Sequence, residues 1–305
     1  MHYLKSIVGK IWFPLMARIR SVIPPLTTKN LWLFLCVAIV TQSVAVFHTS
    51  QPPTTTILAV LIWGGALICI EDQLDTIRPT SRVFSLLIGT VILLWVMVRS
   101  SIILHWDGIL FFIAPISGVA LALLCKPMKE LYRFKESLLC LLLLPSYPLL
   151  IRTLPEKPIS LITARISGLW LQGLGFNTLV DGRDIFLRSG GVRVMGPCNG
   201  LDVMSQLFCI AVIFLLAFPI RSRLSKFQIL LAAPVIGALI NTIRIALLAL
   251  IANSGGGKGY GLFEFFHKDG GSLVFSGVGV VLFGMLYMHL LEKELPPLPL
   301  NESPQ

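Results

Sequence analysis

Long apolar stretches alternate with short polar or basic intervals along almost the whole chain. Eight of them can be read, at Leu31 to His48, Thr54 to Ile70, Val83 to Val98, Gly108 to Cys125, Ser137 to Ile151, Leu201 to Ala217, Phe227 to Ala252 and Ser272 to Leu291. A helix of about 20 apolar residues crosses the hydrocarbon core of a bilayer, so each stretch is a candidate membrane helix. The third and fifth are short, and the fifth contains Pro145 and Pro148, which leaves the count of eight open by one or two.

One sizeable interval breaks the rhythm, between Arg152 and Pro197. From Ser160 to Leu174, apolar residues at Leu161, Ile162, Ile166, Leu169, Trp170 and Leu174 recur at helical spacing, with Arg165 and Gln172 off the stripe. That pattern predicts a helix lying in the membrane interface. After it, Asp181-Gly182 and Gly190-Gly191 punctuate short runs of strand formers, which predicts a small β-hairpin. The expected fold class is therefore an all-α polytopic membrane protein of about eight transmembrane helices with a small extracytoplasmic interfacial helix and β-hairpin. Its expected segments are a basic N-terminal part (1–30), N-terminal membrane helices (31–151), the helix and hairpin (152–197), the later membrane helices (198–291) and a Pro-rich disordered tail (292–305). Trp12, Trp32, Trp106 and Trp170 are expected at the interfaces.

Composition agrees and excludes a soluble domain: 55% of the 305 residues are hydrophobic, 13% are charged, and the mean hydropathy is +0.83. The net charge of +10 is spread through short loops, so the basic residues read as topology determinants and contacts with anionic lipid, and no nucleic-acid footprint is visible. With eight spans and the N-terminus inside, inner segments hold 15 Lys and Arg against 9 in outer ones. The bias predicts both termini on the cytoplasmic side. The N-terminal basic stretch lacks the uninterrupted apolar core of a signal peptide. Six cysteines form no CxxC pair and no zinc or disulfide spacing, so no metal or organic cofactor is expected.

Arg244 changes the picture. It lies inside the seventh apolar run, with no other charged residue between Lys226 and Lys258, roughly two turns or about 10 Å below the run's outer end. A guanidinium at such a depth is costly and marks a functional site by default. Cys198, in Gly196-Pro197-Cys198-Asn199-Gly200, stands at the start of the sixth run, and His267, in Phe265-Phe266-His267, just before the eighth. Alternating helices bring all three to one face. A thiol near a cation or a helix N-terminus becomes a nucleophile, an imidazole can carry its proton to a leaving amine, and a guanidinium can hold the thiolate or an oxyanion. Asp202, four residues after Cys198 and so on its helical face, Asn241, three before Arg244 on its face, and Asn199 are candidates to orient members of this site. Backbone N–H groups at the helix start are expected to point toward the sulfur, and Glu264 or Asp269 could hold the second nitrogen of His267. From residue type alone each has a plainer reading: a small inert cysteine, a snorkelling arginine, an interfacial histidine, as His2, His48, His105 and His289 are taken to be. Pro234 can kink the seventh helix or be tolerated there.

Three motifs together, Cys-x-Gly-Leu opening a membrane helix, Asn241-Thr-Ile-Arg-Ile245 in the next, and Phe-His followed by Gly before the last, resemble the exosortase/archaeosortase family over Val192 to Met288. The resemblance implies a membrane-embedded cysteine protease or transpeptidase of the bacterial plasma membrane, with Cys198, Arg244 and His267 as catalytic residues on the extracytoplasmic side. It implies as substrates exported proteins ending in a sorting signal of the PEP-CTERM type: a short motif, a transmembrane helix and a basic cluster. Cleavage would pass through a thioester, and the substrate helix would enter laterally beside the sixth to eighth helices. The chain departs from the pattern Cys-Ser-Gly-Leu-Arg of many bacterial members, having Asn199 and Asp202 in place of Ser and Arg. A transporter or flippase in which Arg244 binds an anion, and an envelope acyltransferase or scaffold, are the competing readings.

Overall fold

In a computed structural model, residues 28–76, 82–102, 108–254 and 257–294 are described. The expectations for the basic N-terminus, Trp12, Trp106, His2, His105 and the Pro-rich tail lie outside them. All eight apolar runs are helical: α1 (Thr28–Ser50), α2 (Pro53–Ile68), α3 (Val83–Ser101), α4 (Leu110–Cys125), α5 (Lys135–Thr153), α7 (Leu201–Ala217), α8 (Arg223–Asn253) and α10 (Asp269–Glu292). Between α5 and α7 lie α6 (Glu156–Gly173) and the strands β1 (Leu179–Asp181), β2 (Asp184–Phe186) and β3 (Gly191–Arg193); α9 (Gly257–His267) precedes α10.

Among the described residues five helices are long and apolar enough to cross a membrane: α1, α3, α5 with the 3-10 turn Met128–Phe134 that leads into it, α8 and α10. The two runs expected to be short thus belong to this group. Hydropathy underestimates them because helices continue through polar ends: Ser101 at the end of α3 returns its hydroxyl to the carbonyl of Met97 at 2.9 Å, and Thr153 at the end of α5 does the same to Leu149 at 2.9 Å. The shorter helices are α2, α4 and α7, of 16, 16 and 17 residues. At 1.5 Å per residue they reach about 25 Å, less than a full hydrocarbon core of about 30 Å. Phe218-Pro219 follows α7 and Pro127 closely follows α4, and proline cannot continue either ladder.

The core runs along the bundle axis through α1, α2, α4, α5 and α7, filled by residues such as Ile39, Phe47, Ile62, Ile113 and Leu144, all almost fully buried. The outward faces are apolar too, with Leu87, Val91, Leu94 and Trp95 of α3 exposed, as expected where lipid is the solvent. Trp32, expected at an interface, is buried, and its indole N–H donates to the carbonyl of Leu121 at 3.3 Å. Among the buried apolar residues are Cys36, Cys125, Cys140 and Cys209.

The segment between α5 and α7 differs from the expectation in two ways. Its strands form a three-stranded antiparallel sheet in the order β1-β2-β3, one strand more than a hairpin, with Arg193 and Asp184 paired across the edge at 2.6 Å. The apolar stripe of α6 faces outward, with Leu169 and Leu174 largely exposed, while Ser160, Thr163, Ala164, Ser167, Gly168 and Leu171 are buried. Small residues on that face let α6 lie close on α8, as they do between membrane helices. Ser167 donates to the carbonyl of Thr242 at 2.9 Å and the Trp170 indole to the Thr242 hydroxyl at 3.1 Å. The sheet is tied to the end of α8 where the Asn253 amide oxygen accepts from the Ser189 N–H at 2.8 Å.

Candidate active site

The turn carrying Cys198 is built by three residues of special backbone character. Gly196-Pro197-Cys198 forms a 3-10 turn, closed by the Cys198 N–H on the carbonyl of Met195 at 2.9 Å. Gly200 then takes φ +94°, which reverses the chain into α7. Only glycine adopts this readily, and a Cβ there would stand 2.8 Å from the Asn241 amide nitrogen. Asn199 braces the entry to the new helix, its Oδ1 accepting from the Leu201 N–H two residues on at 2.9 Å. Cys198 therefore lies ahead of α7 and not in its first turn. Two consequences correct the expectations: Asp202 does not share a helical face with Cys198, and the Sγ receives no backbone N–H.

The turn is held from two sides by side chains that reach its carbonyls. Asn241 of α8 donates to the Cys198 carbonyl at 3.0 Å, and Thr163 of α6 to the Asn199 carbonyl at 2.8 Å. Thr163, Asn199 and Asn241 are all buried, so these bonds to main-chain carbonyls are shielded from water, and losing either donor would leave its carbonyl unpaired. Buried Ile185, Val194, Ala246 and Ala249 pack around Cys198, with Phe263 and Phe266 against them.

His267 is the last residue of α9, a helix that the sequence reading treats as loop because glycines crowd its first turn. Phe263, one turn earlier, stacks on the imidazole with ring centroids 5.4 Å apart. The Nδ1 of His267 stands 3.7 Å from the Cys198 Sγ, the one hydrogen-bonding contact of the thiol. Arg244 is 4% exposed, and its Nε and Nη2 donate to the main-chain carbonyls of Phe266 at 3.0 Å and His267 at 2.7 Å. Those carbonyls are at the C-terminus of α9, where a helix leaves acceptors unpaired and carries partial negative charge. The cation thus caps the helix that presents the histidine, and it makes no hydrogen bond to the thiol. Burial pushes the Cys198 thiol above its ordinary pKa, partly offset by the charge of Arg244. Burial thus favours the neutral thiol, against the expectation that the cation and the helix N-terminus lower its pKa.

The remaining candidates separate. Asp202 accepts from the Tyr147 hydroxyl of α5 and from the Gln206 amide at 3.2 Å, and Gln206 also reaches the Tyr147 oxygen at 3.3 Å. Glu264 pairs with Lys268 and does not hold the imidazole. The side chain of Asp269 lies outside the described residues. Thr163, Ser167, Thr242, Tyr147 and Gln206 are the residues that the sequence reading misses. For α6 a signal existed, because Ser160, Thr163, Ala164 and Ser167 recur at the three- and four-residue spacing of one helical face; Tyr147, between two prolines in a leucine-rich run, gives none.

A family model described as transmembrane exosortase matches residues 49–284. This chain belongs to the exosortase family. The match begins before α2 and so takes in much more of the bundle than the three motifs cover. No curated protein and no solved structure gives a match. An exosortase-family chain is a membrane protein of several spans, and the apolar helices of this one accord with that. The departures at Asn199 and Asp202 both have structural partners here: Asn199 accepts from the first N–H of α7, and Asp202 joins α7 to α5.

Proposed function

We infer that this exosortase-family protein is a cysteine transpeptidase or endopeptidase that cleaves C-terminal sorting signals of exported proteins. The observation that carries the reading is the Sγ to Nδ1 approach of 3.7 Å between Cys198 and His267, on two turns held independently by Asn241 and Arg244. With Nε2 carrying the imidazole hydrogen, Nδ1 takes the thiol proton as Sγ bonds to the carbonyl carbon of the substrate peptide. The tetrahedral intermediate collapses with loss of the C–N bond, His267 returns the proton to the leaving amine, and a thioester remains on Cys198. Water or an amine then attacks, gives its proton to His267, and releases the thiol. Proton transfer within the pair suits a cysteine whose resting state is the neutral thiol. Arg244 is a positioning residue in this scheme, and its charge also favours the thiolate that forms.

The positive-inside bias supports a topology with the Cys198 end of the bundle outside the plasma membrane, where an exported substrate still anchored by its terminal helix would present the bond next to that helix. The test is processing of a C-terminally tagged, membrane-anchored exported protein in cells carrying wild type or Cys198→Ala at matched levels. We expect a shortened product only with wild type, and hydroxylamine-sensitive attachment of the substrate to Cys198 when release is slowed. Equal processing by the two would sink the nucleophile assignment and favour a transporter in which Arg244 serves an anion.

A further inference from the structure

Beside the catalytic turns a cleft opens between α2 and α10, floored by α7. It has a volume of about 310 Å³ and is lined by Ile57 and Leu61 of α2, Gln206 and Ile210 of α7, and Ser276 and Val280 of α10. Three features distinguish it from the apolar groove of about 480 Å³ on the other flank, between α3, α4 and α5, which has no polar lining at all.

The first is a glycine row. Gly270, Gly277 and Gly284 recur every seven residues on α10, and a Cβ at Gly277 or Gly284 would meet nothing within 4 Å. Between these two glycines the helix rises about 10.5 Å, two turns along which a neighbouring helix could approach closely. The second is Ser276, 6% exposed, whose hydroxyl has no hydrogen-bond partner although it lines the cleft. A hydrocarbon tail offers such a group nothing, whereas a polypeptide helix can offer a polar side chain. The third is continuity with the site. Gln206 lines the cleft while bonded to Asp202 and Tyr147, and it lies five residues, or about 7.5 Å, into the helix that follows the Cys198 turn.

We propose that this cleft receives the substrate's membrane helix, packed on the Gly277 and Gly284 face with a polar group on the Ser276 hydroxyl. The proposal rests on the reading of the protein as a processing enzyme.

The experiment uses the full chain in membranes. A reporter carries an exported domain, a Pro-Glu-Pro motif, an apolar helix, a basic cluster and a C-terminal tag. It is co-expressed with the Cys198→Ala protein bearing a benzophenone amino acid at Leu61, Val280 or Val91. Light should join the reporter helix to Leu61 and Val280 of the cleft and not to Val91 of the other groove. In the active protein, Gly277→Leu fills open space and should slow processing about ten-fold, with the rate of Cys198 alkylation by iodoacetamide unchanged. Ser276→Ala should give a smaller slowing with the same alkylation rate. Processing at the wild-type rate by Gly277→Leu, cross-links at Val91, or only lipid adducts at the cleft would overturn the proposal. Cross-links in the cleft without any processing by wild type would instead remove the enzymatic reading and leave the helix site standing.

Discussion

The N-terminal bundle and the region around Cys198 are both buried and both helical, yet they are fixed in different ways. In α3 and α5, hydroxyls mostly return to their own helix: Thr90 to Leu86, Ser101 to Met97, Ser146 to Leu142 and Thr153 to Leu149, each four residues back. Such bonds satisfy a polar group and place nothing. Around the Cys198 turn the side chains reach far along the sequence to main-chain carbonyls: Thr163 to Asn199, Ser167 to Thr242, Asn241 to Cys198, and Arg244 to Phe266 and His267. Apolar packing in lipid has little directionality, since the solvent is as apolar as the core. Where a sulfur must face a nitrogen, this protein uses directional bonds to backbone. The N-terminal bundle has a few long-range bonds of its own, such as Trp63 to Ser43, Trp32 to the Leu121 carbonyl and Gln73 to the Arg133 carbonyl, but among the described residues these are scattered and do not converge on one turn.

Removing the cap of α9 should have the largest effect on this contrast. Arg244→Ala leaves two carbonyls without their donor, costing on the order of 2–5 kcal/mol locally. We expect loss of processing and faster proteolysis within α9. Arg244→Lys should not rescue, because one ammonium cannot reproduce the two-pronged contact. Processing near the wild-type level in Arg244→Lys would show that charge alone suffices.

Gly200→Ala forces a Cβ onto Asn241 at a left-handed position, with a cost of about 1–3 kcal/mol. Its expected signature is slower alkylation of Cys198 together with slower processing. Thr163→Val keeps the shape and loses the bond to the Asn199 carbonyl, about 1 kcal/mol, and should reduce kcat by up to about ten-fold with KM little changed. An altered KM alone would place Thr163 in substrate contact.

The pH dependence of Cys198 alkylation tests the electrostatics. Burial raises the thiol and Arg244 lowers it, so the thiolate of the free protein should appear only above the ordinary thiol range. Arg244→Gln removes the lowering contribution and should shift the profile to still higher pH. A profile centred near neutrality would contradict a neutral resting thiol. At the small end, Ser146→Ala on the exposed face of α5 should change stability and processing within about 0.5 kcal/mol.

The helices were legible to within a few residues, because membrane burial demands long apolar runs whatever the partners are. Their ends were less legible: Ser100, Ser101, Arg152 and Thr153 continue helices beyond the apolar limit. The three reactive residues could be named from spacing, since a cation within an apolar run and a cysteine between glycines each stand out. Their roles could not. Whether Arg244 serves the thiol or the helix behind His267 depends on α9, whose glycine-rich start hides it. Likewise Asp202 was grouped with Cys198 by helical spacing that the left-handed Gly200 interrupts.

By itself, then, the sequence determined a helical membrane protein of the exosortase type and singled out the side chains proposed to react, because hydrophobic periodicity and residue chemistry are local properties. The tertiary structure decided which polar groups meet. The approach of Cys198 to His267, the capping of α9 by Arg244, and the open glycine face of α10 beside α2 each join segments far apart in the chain. Such pairings follow from how the helices pack, and no local pattern encodes them.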